Sequence, residues 1–138
     1  MEKFLEAQND EYEGYGQALS EITRGRKVSH WIWYIFPQIQ GLGSSATCRK
    51  YALSGAREAL DYLNHPTLGN RLMEISRALL KHKGRTPEYI LGYVDALKVC
   101  SCMTLFDYVC PDSVFAEVLD AFYGGQRCTP TLDILSRQ

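Results

Sequence analysis

The sequence predicts an all-α single domain, an irregular orthogonal bundle of seven to eight helices. Apolar residues recur at three- and four-residue spacing along most of the chain, as at Leu68, Leu72, Ile75 and Leu79. Thr-Pro pairs open two segments, Thr86-Pro87 and Thr129-Pro130, and glycine closes others at Gly25, Gly84 and Gly124-Gly125. A single stretch favours a strand, and it has no second strand candidate to pair with.

Met1 to Gln8 reads as a lead-in anchored by Phe4 and Leu5. Asn9-Asp10 then offers an N-cap for a helix carrying Tyr12, Tyr15, Leu19 and Ile22, which stops near Arg24-Gly25. Arg26 and Lys27 precede the densest part of the chain, Ser29-His30-Trp31-Ile32-Trp33-Tyr34-Ile35-Phe36-Pro37-Gln38. Ser29 is read as the N-cap of a short helix through Ile35, ended by Pro37 because the residue before a proline avoids the α region. After Gly41-Leu42-Gly43, Ser44 or Ser45 caps a helix to Tyr51-Ala52. Ser54 is the expected cap of the next, with Ala56, Ala59, Leu60 and Leu63 inward, ending at Asn64-His65-Pro66. The Leu68–Leu79 stripe follows and closes with Lys81-His82-Lys83 as a solvated basic last turn. Thr86-Pro87 opens one or two turns to Leu91, and Asp95 is the expected cap of a helix to Val109. Val114, Phe115, Val118, Leu119 and Phe122 form the next stripe, and Thr129-Pro130 opens the last helix.

At 138 residues, with 46% apolar and 22% charged residues, the chain can bury a core without metal or disulfide support. A net charge of -1 gives no global attraction to nucleic acid or an anionic membrane, and neither is expected as a partner. No apolar run approaches the roughly 20 residues that span a bilayer, and the acidic, polar N-terminus does not read as a signal peptide. Cys48, Cys100, Cys102, Cys110 and Cys128 form no CxxC pair or regular framework, so they are expected to be reduced thiols of a cytoplasmic protein. No metal-ligand spacing and no cofactor motif is present.

Two segments carry candidate chemistry. Gly41-Leu42-Gly43-Ser44-Ser45-Ala46 spells G-x-G-x-x-A, but a dinucleotide fingerprint needs a βαβ unit that this chain lacks. The turn still admits a ligand close to the backbone at Gly41 and Gly43. Ser44 and Ser45 add hydroxyls, and free N–H groups at a helix start favour an anion. Upstream, Trp31 and Trp33 offer an aromatic wall, Gln38 an amide, and His30 an acid, base or donor. The competing reading makes the tryptophans core and the serines plain caps. On the later helix Leu97, Ser101, Thr104 and Tyr108 share a face, with Lys98 beside it. Such buried hydroxyls either brace another backbone or line a cavity. No paired-acid, Ser-His-Asp or Cys-His signature is present.

These residues resemble a known family. Ser29-His30-Trp31-x-Trp33-x-Ile35-Phe36-Pro37-Gln38, Gly41-Leu42-Gly43-x-Ser45, Tyr51, His65-Pro66-x-Leu68-Gly69-x-Arg71-Leu72 and Leu97-Lys98-x-x-Ser101-x-Met103-Thr104-Leu105-Phe106 are similar to the hallmarks of domain-of-unknown-function family 1810. The resemblance spans nearly the whole chain and implies an all-α fold. It carries no established activity, so it assigns no catalytic residue.

Two function classes follow. The first is binding of a nucleotide-derived, phosphate-bearing small molecule, such as an ADP-ribose-like or cyclic nucleotide. Its contacts would be Trp31, Trp33, Gln38, Gly41, Gly43, Ser44, Ser45, Lys98, Ser101 and Thr104, with His30 the one candidate base if hydrolysis occurs. The second is a non-catalytic protein-interaction module without a small ligand. A concave pocket between the two segments favours the first, and a filled core with an exposed apolar patch favours the second.

Overall fold

The computed structural model describes residues 1–138 and is all-helical. Ten helices follow in order: α1 Glu2–Gln8, α2 Tyr15–Arg24, α3 Ile32–Ile35, α4 Ala46–Tyr51, α5 Ala56–Asn64, α6 Pro66–Leu80, α7 Pro87–Leu91, α8 Tyr93–Val109, α9 Val114–Tyr123 and α10 Thr129–Ser136. The expected count is exceeded partly because the lead-in is itself a helix. α1 carries Phe4 into the core, where its ring meets Tyr62 edge-on at 5.1 Å. None of the helices is long and apolar enough to cross a membrane.

Several caps stand where the residue types place them. Ser45 accepts the Cys48 N–H at the start of α4, and Thr86 accepts the Tyr89 N–H at the start of α7. Others differ. Asp10 does not start α2; its carboxylate accepts the Tyr12 and Glu13 N–H groups in a turn, and α2 begins at Tyr15. Ser29 does not cap α3, because its hydroxyl is turned toward Glu21. Ser54 is replaced as cap by Gly55, and its own N–H donates to Glu58. Asp95 lies inside the first turn of α8, whose N-cap is Gly92 at φ +84°, a conformation that excludes most side chains. His65 caps α6 through Nδ1, and His82 is half-buried with Nε2 2.7 Å from the Ile22 carbonyl oxygen rather than solvated.

α8 is the central element. It packs on α5, α7, α9 and α10, while α6 packs on α2, α5 and α9. Leu68, Leu72, Ile75 and Leu79 of α6 are all buried, as their spacing requires. Gly69 permits the α5–α6 approach: a Cβ there would lie 1.8 Å from the Leu63 carbonyl oxygen. The segment around α4 is closed at its base by two hydrogen bonds, Gln40 N–H to Leu53 O (2.7 Å) and Leu53 N–H to Gln38 O (2.9 Å). That closure holds the Gly41–Ser45 turn and α4 beside α3.

Candidate functional site

Glu21 on α2 organises the backbone that carries the central aromatic stretch. Its buried carboxylate accepts the Val28 N–H (2.7 Å), the Ser29 N–H (2.9 Å), the Ser29 hydroxyl (2.6 Å), the Trp31 indole N–H (3.0 Å) and the Gln17 amide (2.7 Å). Burial alone would raise its pKa, but the donors from Ser29, Val28 and Gln17 stabilise the anion and hold it at about 2. Trp31 is thereby sealed in the core, with the Lys27 ammonium 4.7 Å from its ring centroid. Lys27 also donates to the Ser29 carbonyl oxygen and pairs with Asp95 at 2.8 Å.

Asp95 links this buried anchor to the surface. Its second oxygen lies 3.4 Å from Lys98 Nζ, and that ammonium sits 4.0 Å from the ring centroid of Trp33. Trp33 is half-buried and lines a crevice with Gln38, Ile39, Cys48, Tyr51 and Ala52. A side chain on Gly43 would press on Cys48 Sγ at 3.1 Å, so the turn packs directly on α4. Trp33 therefore meets Lys98 of α8 on its ring and shares its crevice with Gln38, while Gly43 reaches this surface only through Cys48. The Trp33 indole N–H and the Gln38 amide make no hydrogen bond within the protein and, since no buried side-chain polar atom is unsatisfied, are open to water. Lys98 keeps donors beyond its one ion pair.

The remaining candidates divide. Ser101 and Thr104 brace α10: the Ser101 hydroxyl lies 2.8 Å from that of Thr131, and Thr104 donates to Cys100 O while accepting the Cys128 N–H at 2.9 Å. Both are buried, while Leu97 and Tyr108 on the same stripe are exposed. Ser45 is engaged as a cap, and α4, at six residues, offers little dipole for an anion. Gly41, Gly43 and Ser44 are exposed, with Gly41 at φ +106°. His30 is exposed on the side of Glu13 and Tyr34. Its backbone N–H meets Glu13 at 3.2 Å, and no neighbour orients its ring. The crevice beneath Trp33 is about 10 Å³, room for no more than one water.

Sequence reasoning missed Glu21, Lys27 and Asp95 as parts of this network. Glu21 is one residue from Ile22 and three from Ala18, which places it on the inward face of α2. The five thiols are free, with Cys102 buried and the others partly so. No group of three or more His, Cys, Asp or Glu side chains is placed to hold a metal ion.

A model of the family described as Protein of unknown function (DUF1810) matches residues 1–135. Among solved structures, the chain is similar to the conserved hypothetical protein Rv1873 from Mycobacterium tuberculosis. The two are 38% identical over 98% of this chain and 95% of that one, with a TM-score of 0.93. No curated protein matches the chain. The match over nearly all of the sequence, on the same fold, settles membership: the chain belongs to the DUF1810 family.

Proposed function

We propose that the protein binds a nucleotide-derived, phosphate-bearing small molecule at the Trp33–Gln38–Lys98 surface. One observation carries this reading: a half-buried indole and a half-buried amide, both without protein partners, stand beside an ammonium held only by weak contacts. A planar ring stacks on Trp33 in the place of Lys98, and the released ammonium turns to the phosphate. Displacing Lys98 costs little, since a partly exposed cation–π contact and an ion pair are each worth only about 1 kcal/mol. Gln38 hydrogen-bonds the ring edge, and Ser44 offers a hydroxyl. Because the crevice is so small, the ligand lies across its rim in contact with water. Binding fits this better than hydrolysis, for which His30 lacks both an orienting partner and a closed site.

The rival reading, a partner-binding module, is favoured by Tyr93, Val94 and Leu97, three exposed apolar side chains on the first turns of α8. A thermal-shift screen of ADP-ribose, mono- and dinucleotides and cyclic nucleotides separates the two. The ligand reading expects a saturable stabiliser whose affinity falls at least about tenfold in Lys98→Gln and in Gln38→Ala, each having lost one hydrogen-bonding partner. Folded variants that bind the same compound as tightly as the parent, or no stabiliser at all, contradict it.

A further inference from the structure

A larger concave surface lies elsewhere, in a groove of about 630 Å³ between α2 and α6. That size falls within the range of small-molecule sites. Arg71 and Arg77 line it from α6 and Lys81 from the C-cap of that helix, with Glu74 as the one carboxylate among its walls. None of the three cations lies within ion-pair distance of a carboxylate; the four ion pairs of the protein involve other cations.

Arg71 is prepared rather than merely exposed. Its guanidinium donates to Gln8 Oε1 (3.2 Å) and Asn9 Oδ1 (3.1 Å) and rests on the Tyr15 ring, 5.2 Å from the centroid. All three partners are neutral, so they fix the group without cancelling its charge, and three of its five N–H donors stay free. The Tyr15 hydroxyl donates its one proton to Glu74 and lies 3.1 Å from the Arg71 carbonyl oxygen, which holds the carboxylate on Tyr15 and off the guanidinium. Asn70 and Thr23 add neutral polar groups, and Leu19 and Ala78 an apolar floor.

We infer that this groove is a second binding site, independent of the Trp33 surface, for a small ligand carrying a phosphate or pyrophosphate group. The fixed fork of Arg71 takes two phosphate oxygens, and the exposed Arg77 and Lys81 add charge to the same anion.

Calorimetric titration with inorganic pyrophosphate tests it, with amide chemical shifts to locate the ion. The parent should bind saturably, with shifts on α2 and α6 around Leu19, Thr23 and Asn70. Raising ionic strength from about 0.01 to about 0.15 M should weaken binding as the Debye length falls from about 30 to about 8 Å. The double variant Arg77→Gln/Lys81→Gln alters exposed side chains alone and should lose at least about tenfold in affinity. Arg71→Lys should also weaken binding, because a point charge replaces the fork. Shifts on α2 and α6 with none at the Trp33 indole or the Gln38 amide separate this groove from the Trp33 surface. No saturable binding by the parent, shifts confined to other elements, or unchanged affinity in the folded double variant would overturn the inference.

Discussion

Glu21 accepts the indole N–H of Trp31 at 3.0 Å, and both residues are fully buried. The bond ties α2 to the aromatic stretch and fixes which tryptophan belongs to the core. Glu21→Ala leaves the Val28 and Ser29 N–H groups and the Trp31 indole without an acceptor. It should cost about 2–4 kcal/mol in denaturant unfolding, given roughly 1–3 kcal/mol for the buried indole donor and less for the part-buried Val28 and Ser29 N–H groups. A loss below about 1 kcal/mol would show that the loop is held by other contacts.

The same carboxyl sets a pH dependence. It binds protons less readily in the folded chain, at about 2, than at its ordinary value of 4.5. Its contribution to stability is therefore complete above the ordinary value and lost as pH falls toward 2. Unfolding measured from pH 6 downward should show stability falling below about 4.5, and Glu21→Gln should flatten that part of the curve. An unchanged acid limb in the variant would assign the effect to other groups.

Asp95 is predicted to matter for stability far more than Lys98, though it bridges both lysines. The Lys27 side chain is 7% exposed against 22% for Lys98. Asp95→Ala strands a buried ammonium and should cost about 3 kcal/mol. Lys98→Ala removes a partly solvated partner and should stay within about 1 kcal/mol. Equal losses would mean that Asp95 is held chiefly by Lys98.

Ser101 and Thr104 are predicted to act on α10. Thr104→Val removes the acceptor for the Cys128 N–H, the N-cap residue of α10, and should cost about 1–3 kcal/mol. Hydrogen exchange at Cys128 and through α10 should accelerate in the variant, while ligand affinity at the Trp33 surface is kept. Loss of affinity with unchanged exchange would instead return Thr104 to the binding site.

Legibility in the sequence follows the range of the interaction. Repeats such as Leu68–Leu79, caps such as Ser45 and Thr86, and the break at Pro37 are settled within one or two turns, so the residues announce them. The Trp33–Gln38–Lys98 grouping was also visible, because the first two share one short stretch and the third marks the interrupted apolar helix. Trp31 and Trp33 could not be told apart: which one is sealed depends on Glu21, ten residues upstream of Trp31. The bracing of α10 and the groove between α2 and α6 join residues far apart in sequence, Thr104 with Cys128 and Arg71 with Gln8, and no local spacing marks such pairs. Asp95 misled for a related reason. An aspartate near a helix start reads as a cap, and its lysine partner 68 residues away is silent in the sequence.

The two indole N–H resonances test the central claim most directly, since the chain has two tryptophans. In nitrogen–proton correlation spectra, the Trp31 indole proton should exchange slowly and stay in place as ADP-ribose or another stabiliser from the screen is added. The Trp33 indole and the Gln38 side-chain amide should shift in a saturable way, with Lys98→Gln weakening the response. Saturable binding that leaves the Trp33 and Gln38 signals unmoved would contradict a ligand site at this surface.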